Sequence, residues 1–432
     1  MNDHTTTDSG AQEGRRVIVV GGGAAGLIAA GRAAETGAEV ILLEKMRQVG
    51  RKLNITGKGR CNLTNSARLD DFLAAFGSQG KFLRQAFGVF FNSDLVAFIR
   101  SLGVELELER GGRYFPVDNN APDITRALHQ WCIDSGVDIH LGSTAKSLVI
   151  EDSRVTGVKA GRLGRKQAAD AVVIATGGLS YPATGSTGDG YRMAEEAGHT
   201  IEPTYPALVP LETDGDIAPR LQGLSLRNVT VRLLVNGKEA DHILGEMLFT
   251  HFGVSGPTVL QMSRQAVAAL AAGGELELSI DLKPGMDEKT LEGRLLRDFK
   301  ENGNKQLQTI LKGLLPASLI PVCLDLLDLP NDVTGNQITT AERRTLRGWL
   351  KDFRLKITGH RSYEEAIITS GGVRLIEINP RSMESLIVPG LFFAGEVLDL
   401  DGPTGGYNLQ AAFSTGWLAG TAAAGGEPSP TA

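Results

Sequence analysis

Groups that could move a proton or hold an anion gather in a few short stretches of the chain. In Arg51 to Asn65, RKLNITGKGRCNLTN, the cations Arg51, Lys52, Lys58 and Arg60 surround Gly57, Gly59, Cys61 and Asn62. Positive charge beside glycines suits an anion, since the charge attracts it and the missing side chains let the backbone come close. An unperturbed thiol, with a pKa of about 8.5, is protonated at neutral pH, so Cys61 is a candidate acid. Lys58 and Arg60 would lower that pKa and work against the role, and a small thiol packed beneath a ligand explains Cys61 equally well. His251, in FTHFGVSGP, precedes an apparent helix start with Pro257 near its first position. Imidazole titrates near neutrality and a helix start offers free amides, a combination suited to a polarised carbonyl. Tyr181 and Tyr407, each at a glycine turn, are further proton-donor candidates, although aromatic rings there commonly only shield a bound ring system. Cys61, Cys132 and Cys323 are far apart and form no CxxC pattern, so neither a disulfide framework nor a zinc site is expected.

The elements that must position these groups begin with the apolar run RVIVV (Arg16 to Val20), the turn Gly21-Gly22-Gly23-Ala24-Ala25-Gly26, an Ala-rich helix ending near Gly37, and AEVILLEK, a buried strand that reaches Glu44. Strand, glycine turn, helix and acid-tipped strand form the dinucleotide-binding fingerprint. Gly21 permits the tight turn, Gly23 lets the backbone meet a pyrophosphate, and Gly26 lets helix and strand pack closely. The pyrophosphate would sit on the helix N-terminus. Glu44, 18 residues after Gly26, is placed to accept a bond from a ribose hydroxyl. A second buried strand, the run Ala171-Val172-Val173-Ile174-Ala175-Thr176-Gly177-Gly178, ends in another glycine turn, and a third, LFFAGE, ends at Gly395 and Glu396 before VLDLDGPTGGYN and a final helix. A C-terminal helix whose N-terminus can stabilise negative charge on a reduced pyrimidine favours FAD over NAD as the bound cofactor. TGSTGDG, Thr184 to Gly190, reads as part of the FAD site or its rim.

Between these blocks the sequence predicts helices over 70–103, a hairpin at Gly111-Gly112, a helix from Pro122 to Gly136 and a small meander of strands from Asp138 to Gly161. From about 197 to 362 the texture changes to alternating strands (RNVTVRLLVNGKEA, GELELSIDL) and four helical segments, the pattern of an inserted domain. In the last of those helices Thr339 and Glu342 form a capping box, and Arg343, Arg347 and Lys351 recur every four residues as a basic stripe. That stripe, with Arg344, Arg354, Lys356 and Arg361 nearby, is a candidate phosphate-contacting surface. The 432 residues imply two or three domains, and a net charge of −6 gives no global attraction to nucleic acid or anionic membrane. The polar N-terminus has no apolar signal core and no run approaches the roughly 20 apolar residues of a span, so a cytoplasmic protein is expected.

The blocks VVGGGAAG, GRKLNITGKGRCNLTN, VIATGGLSYPATGSTGDGY, LFTHFGVSGPTVL, TSGGV and FFAGEVLDLDGPTGGYNLQAA, between Val17 and Gly420, together resemble the BaiN/RdsA-type FAD-dependent oxidoreductases, also called aminoacetone oxidase-like. The resemblance implies an α/β fold in which an FAD-binding Rossmann-like (two-dinucleotide-binding-like) domain is interrupted by an inserted β-barrel and a small helical domain. The expected division is a disordered tail over 1–15, an FAD-binding domain over 16–196 and 363–423, the insert over 197–362, and a second tail over 424–432. The cofactor-binding set it implies is Gly21, Gly23, Ala24, Ala25, Gly26, Glu44, Lys45, Arg51, Lys52, Gly57, Gly59, Arg60, Cys61, Asn62, Ala145, Ala175, Thr176, Gly177, Gly178, Gly395, Glu396, Gly406, Asn408 and Leu409, with Cys61, His251 and Tyr181 as catalytic candidates. Members reduce a carbon–carbon double bond conjugated to a carbonyl, in a bile-acid-type enone or in a uridine of large-subunit ribosomal RNA that becomes dihydrouridine. No nicotinamide domain is visible, so transient NAD(P)H binding over the flavin is the expectation. Small-amine oxidation and a non-catalytic flavin- or RNA-binding factor are the alternatives.

Overall fold

The computed structural model describes residues 14–427, so most of the tail expected over 1–15 and the end of the one expected over 424–432 lie outside the described residues. The described residues divide into two compact units, one built from residues up to Thr204 and from Ile368 onward, the other from Tyr205–Ile367. The change of texture near Ala197 marks the end of the helix Asp189–Glu196, and the insert begins eight residues later than the 197 expected, at 205. No single helix among the described residues is long and apolar enough to cross a membrane.

In the first unit, β1 (Arg16–Val20), α1 (Ala24–Glu35) and β2 (Glu39–Glu44) follow one another as the fingerprint requires. A five-stranded sheet has the order Leu391–Phe393, Ala171–Ile174, β1, β2, Asp138–Leu141, and every pair in it is parallel. Its central strands are apolar and buried along nearly their whole length, as expected where helices cover both faces. Asp138–Leu141 is a correction to the sequence reading. It joins this sheet at the edge beside β2, with the helix Ala121–Asp134 as its crossover, and only Ala145–Glu151, Arg154–Ala160 and Arg165–Ala168 form the antiparallel meander. Alternation over four half-exposed residues cannot distinguish these two partners. A small sheet formed by β3 (Thr64–Asn65), Arg113–Pro116 and Leu106–Glu109 lies beyond the segment that the sequence presents as a charged loop. That segment is α2 (Arg51–Gly59), helical to Ile55 and then broken by Thr56, Gly57 and Lys58, the last two left-handed.

The second unit is a closed barrel with strand order Leu211–Thr213, Gly253–Ser255, Lys238–Phe249, Ser225–Val235, Leu276–Asp281, Phe353–His360. Closure removes the free edges that alternating strands would otherwise expose. Helices Glu288–Glu301, Leu307–Leu311, Leu319–Leu326 and Thr340–Lys351 share its core, with Leu291, Leu295, Leu346 and Leu350 buried among the barrel residues. The capping box at Thr339 and Glu342 is present.

The basic stripe is the second correction. Arg343 donates to Glu292 at 2.8 Å, Arg347 reaches Glu292 and Glu288 at 3.3 Å each, and Lys351 pairs with Asp281 at 2.6 Å while donating to the carbonyls of Lys283 and Met286. These cations clamp their helix to Glu288–Glu301 and to the barrel, so they do not form a free phosphate surface. Arg354 and Arg361 are likewise engaged, with Glu277 and Asp352 and with Glu212 and Glu365.

Candidate cofactor and active site

The turn between β1 and α1 is built for an anion. Gly23 caps α1 with extended backbone, no side chain bonds the first-turn amides, and no acid occupies that turn. A Cβ on Gly23 would meet no atom within 4 Å, whereas one on Gly26 would fall on the carbonyl oxygen of Gly21, and one on Gly21 would lie 2.5 Å from the carbonyl oxygen of Ala175. The packing therefore demands glycine at 21 and 26, while Gly23 opens onto free space in front of the helix dipole. Ala25 is buried behind this turn, and a Cβ on Gly395 would lie 2.8 Å from its side chain. Ala175, whose amide bonds Val20, completes a ring of backbone from three parallel strands.

Glu44 braces the turn, its Oε2 accepting from the Gly22 amide and its Oε1 from the Met46 amide at 2.7 Å each. A carboxylate oxygen can accept a second bond, so a ribose hydroxyl would be added without displacing either amide. Lys45, at the same strand tip, bonds Asp189 at 2.6 Å and Thr187, which draws the TGSTGDG segment to the end of β2. Ala145 opens the meander two residues after Ser143, whose amide bonds the Glu44 carbonyl.

A second helix start has no side-chain cap. The C-terminal helix (Tyr407–Ala423) begins after left-handed Gly406 with no side-chain cap and no acid in its first turn. The stretch after Cys61 is sewn onto it: Thr64 donates to Gln410 at 2.6 Å, Asn65 donates to the carbonyls of Gly405 and Gly111 at 3.0 Å, and a Cβ on Gly406 would lie 2.5 Å from the Thr64 carbonyl. Beside this junction the buried Oδ1 of Asn62 has no hydrogen-bond partner among the described residues. Asn408 differs from the expectation. Its side chain bonds Gly402 through both Oδ1 and Nδ2, and Pro403 besides, so it clamps its own loop. Leu409 is half-buried against the core.

Glu396 joins four separate segments. Its Oε1 accepts from Ser180 at 2.7 Å and from the Thr369 amide at 2.9 Å, and its Oε2 accepts from Lys52 at 2.6 Å. Lys52 also donates to Ser180, and the Thr369 hydroxyl accepts from the amides of Leu179 and Ser180. Ser180 and Thr369, both fully buried, escaped the sequence reading, although Ser180 adjoins Tyr181 and Thr369 opens TSGG. Thr176 and Gly177 line the same turn, and a Cβ on Gly178 would lie 2.5 Å from the Thr369 hydroxyl.

The loop cations are less available than their number suggests. Lys52 is held by Glu396; Arg60 pairs with Glu109, bonds Asn119 and lies 4.2 Å over the Phe115 ring; Arg51 and Lys58 are exposed. Arg60 is thus engaged by Glu109, Asn119 and the Phe115 ring, and it does not depress the thiol beside it. Cys61 is fully buried, and burial pushes its pKa up to about 12, opposed only by a bond to Thr56. That is the reverse of the shift expected from the neighbouring cations. Tyr181 has left-handed backbone, with its carbonyl accepting from the Thr184 amide and hydroxyl. Tyr407 packs on Phe72 at 4.6 Å, and burial, followed by the charge of Asp71, raises its pKa. His251 belongs to the other unit, where it is exposed, edge-on to Phe252, on the turn that precedes Gly253–Ser255 and the helix Pro257–Ala271. Among the described residues no group of three His, Cys, Asp or Glu could hold a metal ion.

Similarity to known proteins agrees with this architecture. Residues 15–422 match the family described as HI0933-like protein Rossmann domain. The chain is 32% identical over 401 residues to the 3-dehydro-bile acid delta(4,6)-reductase of Clostridium scindens, covering 92% of this chain and 96% of that one. It is 33% identical over 394 residues to the ribosomal RNA dihydrouridine synthase of Escherichia coli, covering 91% and 94%. Among solved structures, a flavocytochrome c3 fumarate reductase in its open conformation aligns with a TM-score of 0.51 at 20% identity, over 96% of this chain and 79% of that one. The 3-ketosteroid delta1-dehydrogenase of Sterolibacterium denitrificans aligns with a TM-score of 0.53 at 15% identity, over 95% and 99%. Identities this low show a shared fold.

Proposed function

The chain belongs to the HI0933-like Rossmann family, and from that premise we propose that this oxidoreductase uses bound FAD to reduce a carbon–carbon double bond conjugated to a carbonyl, its substrate being a uridine of large-subunit ribosomal RNA and its electron donor NAD(P)H. The observation that carries the flavin part is the pair of helix N-termini with no side-chain cap and no first-turn acid, α1 behind Gly23 and the C-terminal helix behind Gly406, with Gly23 opening onto free space. The reduction part is supported by two relatives of nearly equal identity, one named for reducing a bile acid and the other for making dihydrouridine. Both products are saturated where the precursor holds an alkene next to a carbonyl.

FAD, when bound, supplies hydride to the electron-poor carbon of such an alkene. The residues of this chain bind and orient it. The first-turn amides of α1 would receive the pyrophosphate, Glu44 would accept a bond from a ribose hydroxyl, and the N-terminus of the C-terminal helix would stabilise negative charge at the ring. Asn62 Oδ1, buried and unpartnered, is an acceptor suited to a ring N–H at that junction. Tyr181 and His251 are the proton-donor candidates, because burial raises the pKa of Cys61 to about 12 and works against that role for the thiol. Mass analysis of ribosomal RNA from a strain lacking the gene tests the substrate: one dihydrouridine should disappear, and unchanged content would leave the small-enone reading in its place.

A further inference from the structure

With the basic stripe consumed by ion pairs, the insert carries unpaired positive charge elsewhere. An open groove of about 280 Å³ lies between the strand Ser225–Val235, the exit of the strand Leu276–Asp281 and the turn at Leu314 to Pro316. Its walls are apolar (Leu226, Val229, Leu282, Leu314), and its only charged lining residues are Arg227 and Lys283. Neither has an ion-pair partner among the described residues. The acid nearest in sequence, Asp281, is already occupied, because Lys351 and Arg232 take one carboxylate oxygen and the Lys283 amide takes the other. A third cation stands at the rim: Arg294, chelated by Asp298, reaches within 3.9 Å of the position a Cβ would take on Gly313.

Two further observations fit a site more readily than a surface accident. The strand carries a bulge at Arg227-Asn228, where the register slips between Leu226 and Val229 and Asn228 adopts φ +54°. Such bulges re-aim the neighbouring side chain. Lys283 is half-buried, and its pKa is lowered first by that burial and then by the charge of Arg294. A half-buried ammonium facing another cation costs folding stability, and an anion would offset that cost.

We propose that this groove is the nucleic-acid contact of the insert, holding backbone phosphate of a single-stranded RNA segment between Arg227 and Lys283. The inference rests on the ribosomal RNA reading above. An open groove, unlike an enclosed pocket, lets a chain continue past it, and a phosphodiester brings one negative charge per nucleotide with an uncharged remainder.

The test uses the full-length, FAD-loaded protein and a fluorescent transcript of unmodified large-subunit ribosomal RNA, titrated at several salt concentrations. Arg227→Gln and Lys283→Gln should each weaken binding several-fold and lower the salt slope by about 0.7 to 1, and the double variant by roughly twice that. Dihydrouridine formation on the transcript should show a raised KM with kcat retained. Arg344→Gln, exposed on the helix that bears the stripe, should leave the slope unchanged. Lys283→Gln should not lower the unfolding midpoint, because it removes an uncompensated charge. An unchanged slope in the double variant, while wild type still forms dihydrouridine, overturns the groove and spares the function. A wild type that neither binds nor modifies the transcript overturns both.

Discussion

At the scale of single residues, the site is held by charges that find partners far along the chain. Lys52 and Glu396 are separated by 344 residues, and no local pattern pairs them. Glu396→Gln should cost about 1–3 kcal/mol, because it strips the acid from a mostly buried ammonium and weakens the acceptor for Ser180 and the Thr369 amide. Thermal unfolding with and without FAD measures it, and a loss confined to the FAD-loaded protein would mean that the network serves the cofactor and not the fold. Cys61 illustrates the converse error. Its sequence neighbours suggest a depressed pKa, but Arg60 turns to Glu109 and the thiol enters the core. Cys61→Ala should therefore keep FAD and turnover, with the same pH–rate profile between pH 7 and 10; a vanished turnover in protein that still holds FAD would restore the thiol as the acid.

His199 belongs to the same scale. Its ring is fully buried, with Nδ1 3.2 Å from Glu377 and Nε2 2.8 Å from Ser385, and burial lowers its pKa more than Glu377 raises it. The folded state thus holds a neutral histidine. Above the unfolded pKa of about 6.5 no cost arises, and as pH falls from there through the lower folded value the unfolded chain takes up the proton first, so stability declines. Chemical unfolding at pH 7.5 and 5.5 should show this loss, and His199→Gln should flatten it.

At the scale of elements, apolar strand runs ending in glycine turns were legible because a parallel sheet covered on both faces leaves little choice of composition. The barrel strands were legible as alternation, but not their closure, which depends on the register of strands more than a hundred residues apart. The pairing of Asp138–Leu141 with β2 is not legible, because a short edge strand carries no sign of its partner. The basic stripe is legible as a face of one helix, but its partners are not, since Glu288 and Glu292 lie on another helix about fifty residues earlier. Glu292→Ala should loosen that helix pair by about 1–2 kcal/mol in chemical unfolding and leave RNA affinity unchanged, the opposite of what a phosphate-binding stripe would require. Gly26→Ala tests the other unit, because the methyl group must displace either α1 or the Gly21 turn. A drop in bound flavin per chain, with instability of about 1–3 kcal/mol, is the expected result.

At the scale of the whole molecule, a Rossmann-type unit interrupted by a barrel-and-helix insert divides the labour between two bodies of one chain. The first carries every backbone feature suited to FAD, and the second carries His251 and the Arg227–Lys283 groove. The fold is shared with enzymes acting on quite different molecules, so it narrows the chemistry and leaves the substrate open. Dihydrouridine in ribosomal RNA answers that question most directly. Purified, FAD-loaded protein is incubated anaerobically with NAD(P)H and an unmodified large-subunit ribosomal RNA transcript, and the RNA is analysed by mass. A single uridine should gain two mass units, and flavin reduced by NAD(P)H should be reoxidised in step. Reduced flavin that stays reduced, with RNA of unchanged mass, would contradict the proposed function.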